Sequence, residues 1–178
     1  MPIQNTPRKM RVTATAGLAL VLAAVTASAA RGGQSARDGD EAAVRAALAQ
    51  NAAGFERGDL AALNRVWADD ESVTVFEQGH ANYGWADYRD NHLAPEMKEM
   101  KNRKYALSDV RVKVAGATAW ATFKYALSAD VGTRRVEGAG LGTAVLVKRG
   151  QDWLIVHWHT SAPRRAPAAQ PAPAPHKH

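Results

Sequence analysis

Over residues 38–57 apolar side chains recur at Val44, Leu48, Ala52 and Phe55, the spacing of one face of an α-helix, with Asp38 and Glu41 placed as a capping pair and Gly58 as a stop. Asp59 is placed to cap a second helical segment whose Leu60, Leu63, Val66 and Trp67 share a face, ending at Asp69-Asp70-Glu71. Residues 72–77 alternate Val73 and Val75 against Thr74 and Phe76, which predicts a short strand, and residues 78–82 read as a loop. Residues 84–100 predict a third helix, broken near Pro95 because proline lacks a backbone donor and its ring crowds the preceding turn. One stripe of that helix presents Trp85, Tyr88 and His92; the opposite side, with Asp87, Arg89 and Asp90, is expected in solvent.

From residue 104 onward the period changes to two. Runs over 104–114, 117–128, 134–148 and 152–161, separated by turn signals at Ala115-Gly116, Asp130-Val131-Gly132 and Arg149-Gly150, predict an antiparallel meander. Three helices followed mostly by strands give an α+β class, with the helices on one face of a curved sheet. In the last run Trp153, Ile155, His157, His159 and Ser161 are expected to point one way, and Leu154, Val156, Trp158 and Thr160 the other. Both sets are largely apolar. A second face that met water would be polar, so this one is expected to meet another copy of the chain in a homodimer.

The two ends follow other rules. Arg8-Lys9-Met10-Arg11, an apolar run over 12–25 and Ala27-Ser28-Ala29 have the form of a secretory signal peptide over 1–29, followed by a linker over 30–37. The apolar run falls short of the roughly 20 residues that a bilayer-spanning helix needs. No stable membrane anchor is expected after cleavage, and the expected location is periplasmic or secreted. Residues 163–178 hold five prolines and no aromatic residue, Leu, Ile or Val, the composition of a disordered, extended tail. Its His176 and His178 could capture a metal, although two histidines on a chain end more often do nothing.

Charge and composition narrow the function. The 178 residues carry a formal +6, but all 17 acids and only 15 of the 23 Lys and Arg lie within 38–152, so that body is net −2 and the excess of base sits at the ends. A body without a basic stripe excludes nucleic acid as partner. Residues 38–162 suffice for one domain and one core. With no cysteine there is no disulfide, thiolate metal site or cysteine nucleophile. Neither a phosphate-binding loop nor a Gly-x-Ser-x-Gly elbow occurs. Gly138-Ala139-Gly140-Leu141-Gly142 lies inside a strand pattern and opens no helix; its alternate glycines are expected to relieve crowding at a sheet bend or a helix approach.

The succession of helix, helix, short strand, Tyr83-Gly84-Trp85-Ala86-Asp87-Tyr88-Arg89 and four long strands closing on Trp153-Leu154-Ile155-Val156-His157-Trp158-His159-Thr160-Ser161 resembles the nuclear transport factor 2-like superfamily, in its SnoaL-like branch. The resemblance covers essentially all of 38–162; the closing strand is also similar to the end of the association domain of calcium/calmodulin-dependent kinase II. It implies a cone-shaped subunit with three N-terminal helices packed on a strongly curved, mainly antiparallel sheet, paired as a dimer and enclosing a pocket. Isomerases, cyclases, dehydratases, transport factors and assembly domains share this fold, so it selects no reaction.

In such a cone, Trp67, Tyr83, Trp85, Tyr88 and His92 would furnish the pocket from the helical side, and Trp120, Tyr125, Glu137, His157 and His159 from the sheet. Any one of these aromatics is as readily ordinary core. Together they suit a small, largely apolar or aromatic molecule, with polar groups to orient it. His92, His157, His159 and Glu137 are the candidates for acid–base work in lyase, isomerase or cyclase chemistry. The catalytic carboxylates of ketosteroid isomerase find no residue-by-residue counterpart. An alternative is a zinc or copper site: His157 and His159 share a strand face about 7 Å apart, and His92, His80, Glu77 or Glu137 could complete the set. No other cofactor is expected. The second alternative is a non-catalytic dimerisation or assembly module.

Overall fold

The computed structural model describes the backbone of residues 18–163 and the side chains of residues 33–163. The basic start of the signal segment and tail residues 164–178 lie outside the described residues. Two compact units divide the chain, residues 1–39 and 40–178. In the first, the described backbone is helical from Leu18, and Gln34 donates to Asp38 at 2.8 Å. This helix, α1, spans Leu18–Arg57, so the expected start at Asp38 is corrected: Asp38 lies inside a helix, and Glu41 accepts from Arg45 one turn on at 2.7 Å. No helix among the described residues is long and apolar enough to cross a membrane.

In the second unit α1 buries Val44, Leu48, Ala52 and Phe55 in the core, the face that their spacing marks out. The helix stops where Gly58 takes a φ of 72°, which lets the amides of Gly58 and Asp59 return to the carbonyls of Phe55 and Gly54 at 3.1 and 2.9 Å. Asp59 caps α2 (Leu60–Asn64) by accepting from the Ala62 amide at 2.9 Å. Strand β1 (Thr74–Glu77) turns at Gln78-Gly79, both at positive φ, into β2 (His80–Tyr83). The expected loop over 78–82 is thus a tight hairpin, closed by the pair Glu77 and His80.

The third helical run stays helical through Pro95 but loses its α geometry just before it, where the break is expected. α3 (Trp85–Tyr88) passes into a single π turn over Arg89–Leu93 and on into α4 (Ala94–Glu99). Widening the turn just before Pro95 accommodates a ring that would crowd an ordinary α turn.

Four long strands follow: β3 (Met100–Ala115), β4 (Thr118–Val131), β5 (Arg134–Arg149) and β6 (Asp152–Ser161). The sheet order is β2-β1-β6-β5-β4-β3, antiparallel except where β1 runs parallel to β6. Irregularities after Lys101 and Ser108 in β3, with Asn102 and Asp109 at positive φ, bend that strand. A third irregularity decides the sidedness of β6. Val145 pairs with His157 but Leu146 pairs with Ile155, which leaves Val156 as an extra residue and shifts the phase. Trp153 and Ile155 are buried before it, Trp158 and Thr160 after it. The expected common face of Trp153, Ile155, His157 and His159 is therefore corrected; the two histidines share a face with each other, on the side away from the core.

Two of the three glycines of β5, Gly140 and Gly142, serve neighbouring rings and not a helix. A Cβ at Gly142 would stand 2.1 Å from the Phe123 ring, and one at Gly140 would stand 2.9 Å from the Tyr125 ring and closer still to the Ser161 carbonyl. Phe123 and Tyr125 are their cross-strand partners on β4, so removing side chains from β5 lets both rings lie across the inner face of the sheet.

Candidate functional site

Between the helices and this inner face lies a cavity of about 280 Å³. Its apolar wall is aromatic, with Phe55 from α1, Trp67 from the segment after α2, Tyr88 from α3, Tyr105 from β3, Tyr125 from β4 and Trp158 from β6. The bulge at Val156 turns Trp158 and Thr160 inward, and the turn at Gln78-Gly79 brings Glu77 and His80 to the same cavity. Trp67 is fixed on two sides: it stacks on Trp85 with centroids 4.9 Å apart, and its indole N–H donates to the buried Asn51 at 2.8 Å.

Glu77 is the chemically distinctive residue. The Tyr88 hydroxyl donates to its Oε2 at 3.1 Å and the Thr160 hydroxyl to its Oε1 at 3.4 Å. Burial raises the pKa of its carboxyl above the ordinary value, against the hydrogen bonds of Tyr88, Thr160 and Trp158 that pull it down. The 18% of its side chain that remains exposed belongs to a cavity-lining residue. Glu96, a second carboxyl on the cavity wall, is also raised, by burial first and then by the charge of Glu77. Burial and the Glu77 charge push Tyr88, Tyr105 and Tyr125 upward too, so these phenols stay protonated.

His92 faces this carboxylate, with Nε2 3.9 Å from Glu77 Oε2. Its other nitrogen is fixed. Asp87 accepts from the Asn82 amide nitrogen at 2.8 Å, which aims the Asn82 oxygen at His92 Nδ1, 2.9 Å away. An acceptor there requires a proton on Nδ1, so a neutral His92 turns the lone pair of Nε2 towards Glu77. At 3.9 Å these two acceptors do not hydrogen-bond, but a proton on either one would be stabilised by the other. Asn91 holds the Asp87 pKa below the ordinary value, followed by Asn82, so the anchor of this chain of contacts stays ionised. Asp87 therefore belongs to the support of His92 and not simply to the solvated face expected of it.

The candidates named from sequence separate. Trp67, Tyr88, His92 and Tyr125 line the cavity. Trp85 lies behind Trp67 in the core, its indole donating to Asn64 at 2.9 Å. Tyr83 and Trp120 are exposed, as is Glu137 on β5. His157 takes Thr74 as partner at 2.7 Å and packs edge-on against Phe76, with burial lowering its pKa. His159 lies beside it on the outer face. His92 and the pair His157 and His159 thus do not form one site, and no group of three or more His, Asp or Glu among the described residues could hold a metal ion. Sequence reasoning passed over Glu77 as an acid–base group, naming it only as a spare metal ligand, and missed Glu96 and Asn82. The available signal was Gln78-Gly79, a two-residue turn that makes Glu77 a closing residue of a hairpin.

The model of the SnoaL-like domain matches residues 44–165. The chain belongs to the SnoaL-like family. Solved structures agree on the fold. A nuclear transport factor 2-like superfamily protein from Salmonella enterica serovar Typhimurium aligns with a TM-score of 0.65 at 17% identity, over 72% of this chain and 94% of that one. A candidate dehydratase of the same superfamily from Streptomyces avermitilis aligns at 0.65 and 22%, over 71% and 98%. A candidate ketosteroid isomerase from Shewanella frigidimarina aligns at 0.57 and 21%, over 65% and 91%. The comparison with curated proteins gave no match. At these identities the likeness to the SnoaL-like chain is one of fold: an α+β cone whose helices cover one face of a mixed sheet.

Proposed function

We propose that this SnoaL-like protein is exported, binds a small, largely apolar or aromatic molecule in its cone cavity, and moves a proton on that molecule through Glu77 and His92. The observation that carries the reading is a largely buried carboxylate and an imidazole nitrogen facing each other across 3.9 Å in an aromatic cavity. With a proton on His92, Glu77 is a base for a substrate C–H and the imidazolium is an acid for the oxygen or leaving group that gains charge. Returning the proton elsewhere on the substrate is isomerisation; expelling a leaving group with it is a lyase step. The isomerase and dehydratase names of two structural relatives support proton movement as the shared theme. An open cavity also speaks against a pure assembly module, whose cone would be filled. Export rests on the form of the N-terminal segment, and sequencing of protein recovered from the periplasm is expected to begin at Ala30.

Native mass spectrometry of the mature protein from its own compartment tests the reading. A bound organic mass is expected on the wild type and lost on Leu127→Trp, which fills the cavity. An organic mass that survives Leu127→Trp in a folded protein would place the ligand elsewhere and contradict the proposal.

A further inference from the structure

The charge of the cavity goes further than its shape. Two carboxyls, Glu77 and Glu96, line it; among the described residues no Lys or Arg does. Arg103 donates to the backbone carbonyls of Phe55, Met97 and Met100, with its guanidinium 5.7 Å from the centroid of the Phe55 ring, and its charge lowers the Glu96 pKa by less than burial and Glu77 raise it. His92, when neutral, turns a lone pair towards Glu77, and the tyrosine and threonine hydroxyls offer only neutral donors. Two acids removed from water without a full complement of positive charge are costly unless a partner supplies it. Around them stand six aromatic rings, those of Phe55, Trp67, Tyr88, Tyr105, Tyr125 and Trp158. A cage of rings with an acid at its edge is the arrangement that recognises an organic ammonium, because the negative faces of the rings and the carboxylates favour the same charge.

Building on the proposed ligand-binding role of this cavity, we infer that its ligand is an organic cation, an amine or quaternary ammonium carried on an apolar or aromatic body. Glu77 and Glu96 meet the charge and the rings meet the body. At the roughly 30 Å³ that a water molecule takes up in the liquid, the cavity holds on the order of ten non-hydrogen atoms.

Three probes of that size differ almost solely in charge: phenyltrimethylammonium, its neutral isostere tert-butylbenzene, and phenylacetate. Titrated into the mature protein at neutral pH and followed by tryptophan fluorescence, the cation is expected to bind at least about tenfold more tightly than the neutral isostere, with phenylacetate weakest. Glu77→Gln and Glu96→Gln are each expected to weaken the cation about tenfold while leaving tert-butylbenzene within about twofold, and Glu137→Gln, outside the cavity, to change neither. Melting curves on every variant confirm that it is folded. If tert-butylbenzene or phenylacetate binds as tightly as the cation, the cavity reading stands and the cationic preference is overturned. If none of the three binds, the cationic preference is overturned, and if the organic mass carried by the native protein also survives Leu127→Trp, the cavity reading falls with it.

Discussion

Glu77 shows how a single side chain can set the character of a site at a cost to the fold. Folding raises its pKa above the ordinary 4.5, so the folded chain holds that proton more tightly than the unfolded chain. Its favourable contribution is complete below about 4.5 and is lost as the pH rises through the raised folded value. Glu96 has the same sign. Near pH 7.5 an ionised Glu77 therefore weighs against the fold, and Glu77→Gln is expected to raise Tm by a few degrees there, with the gain gone near pH 4. Melting curves at the two pH values check this; a lower Tm for the variant near pH 7.5 would mean that the hydrogen bonds from Tyr88 and Thr160 outweigh the burial. Four of the cavity residues, Trp67, Tyr88, His92 and Tyr125, were legible in the sequence because aromatic and imidazole side chains stand out on a periodic face. Glu77 and Glu96 were not, since an acid on a short strand or a helix looks like an exposed one until the fold shows what covers it.

At the scale of elements, the helices and strands were legible because their apolar periods are long and regular. What escaped was local geometry that costs or inserts a single residue. The extra Val156 reverses the sidedness of β6 and carries Trp158 and Thr160 into the cavity in place of His157 and His159. No apolar period records such a bulge, because both faces of that strand are apolar. The glycines of β5 offer a sharper test of how elements fit. Gly142→Ala would drive a methyl group into the Phe123 ring, 2.1 Å away, whereas Gly138 has nothing within 4 Å of the same addition. Gly142→Ala is expected to cost about 1–3 kcal/mol in denaturant unfolding, as overpacking does. Gly138→Ala is expected to be neutral or to stabilise by about 0.4–1 kcal/mol. Equal effects at the two positions would show that Phe123 does not lie across β5 as described.

At the scale of the whole molecule, the second unit presents an outer sheet face that no other part of it covers well among the described residues. Trp120 is 44% exposed, Leu141 61% and Phe76 37%, with half-buried Val145, Val147, Leu154 and Val156 on the same sheet. A patch of this kind on a sheet marks an interface, and we propose that two copies pair through it. The mature chain is expected to sediment as a dimer, and Trp120→Glu as a monomer with its cavity intact; a wild-type monomer at micromolar concentration would contradict the pairing. Pairing through this face would leave His157 and His159 near the contact and Glu77 and His92 on the opposite side of the sheet, in the cavity. Whether the cone holds a Glu77 carboxyl faced by the lone pair of His92 is tested most directly by nuclear magnetic resonance on protein labelled with ¹³C in glutamate and ¹⁵N in histidine, assigned with Glu77→Gln and His92→Gln. The expected result is a Glu77 carboxyl that titrates above 4.5 and a neutral His92 that carries its proton on Nδ1. A Glu77 that titrates at or below 4.5, beside a neutral His92 protonated on Nε2, would contradict the pair and the chemistry proposed for it.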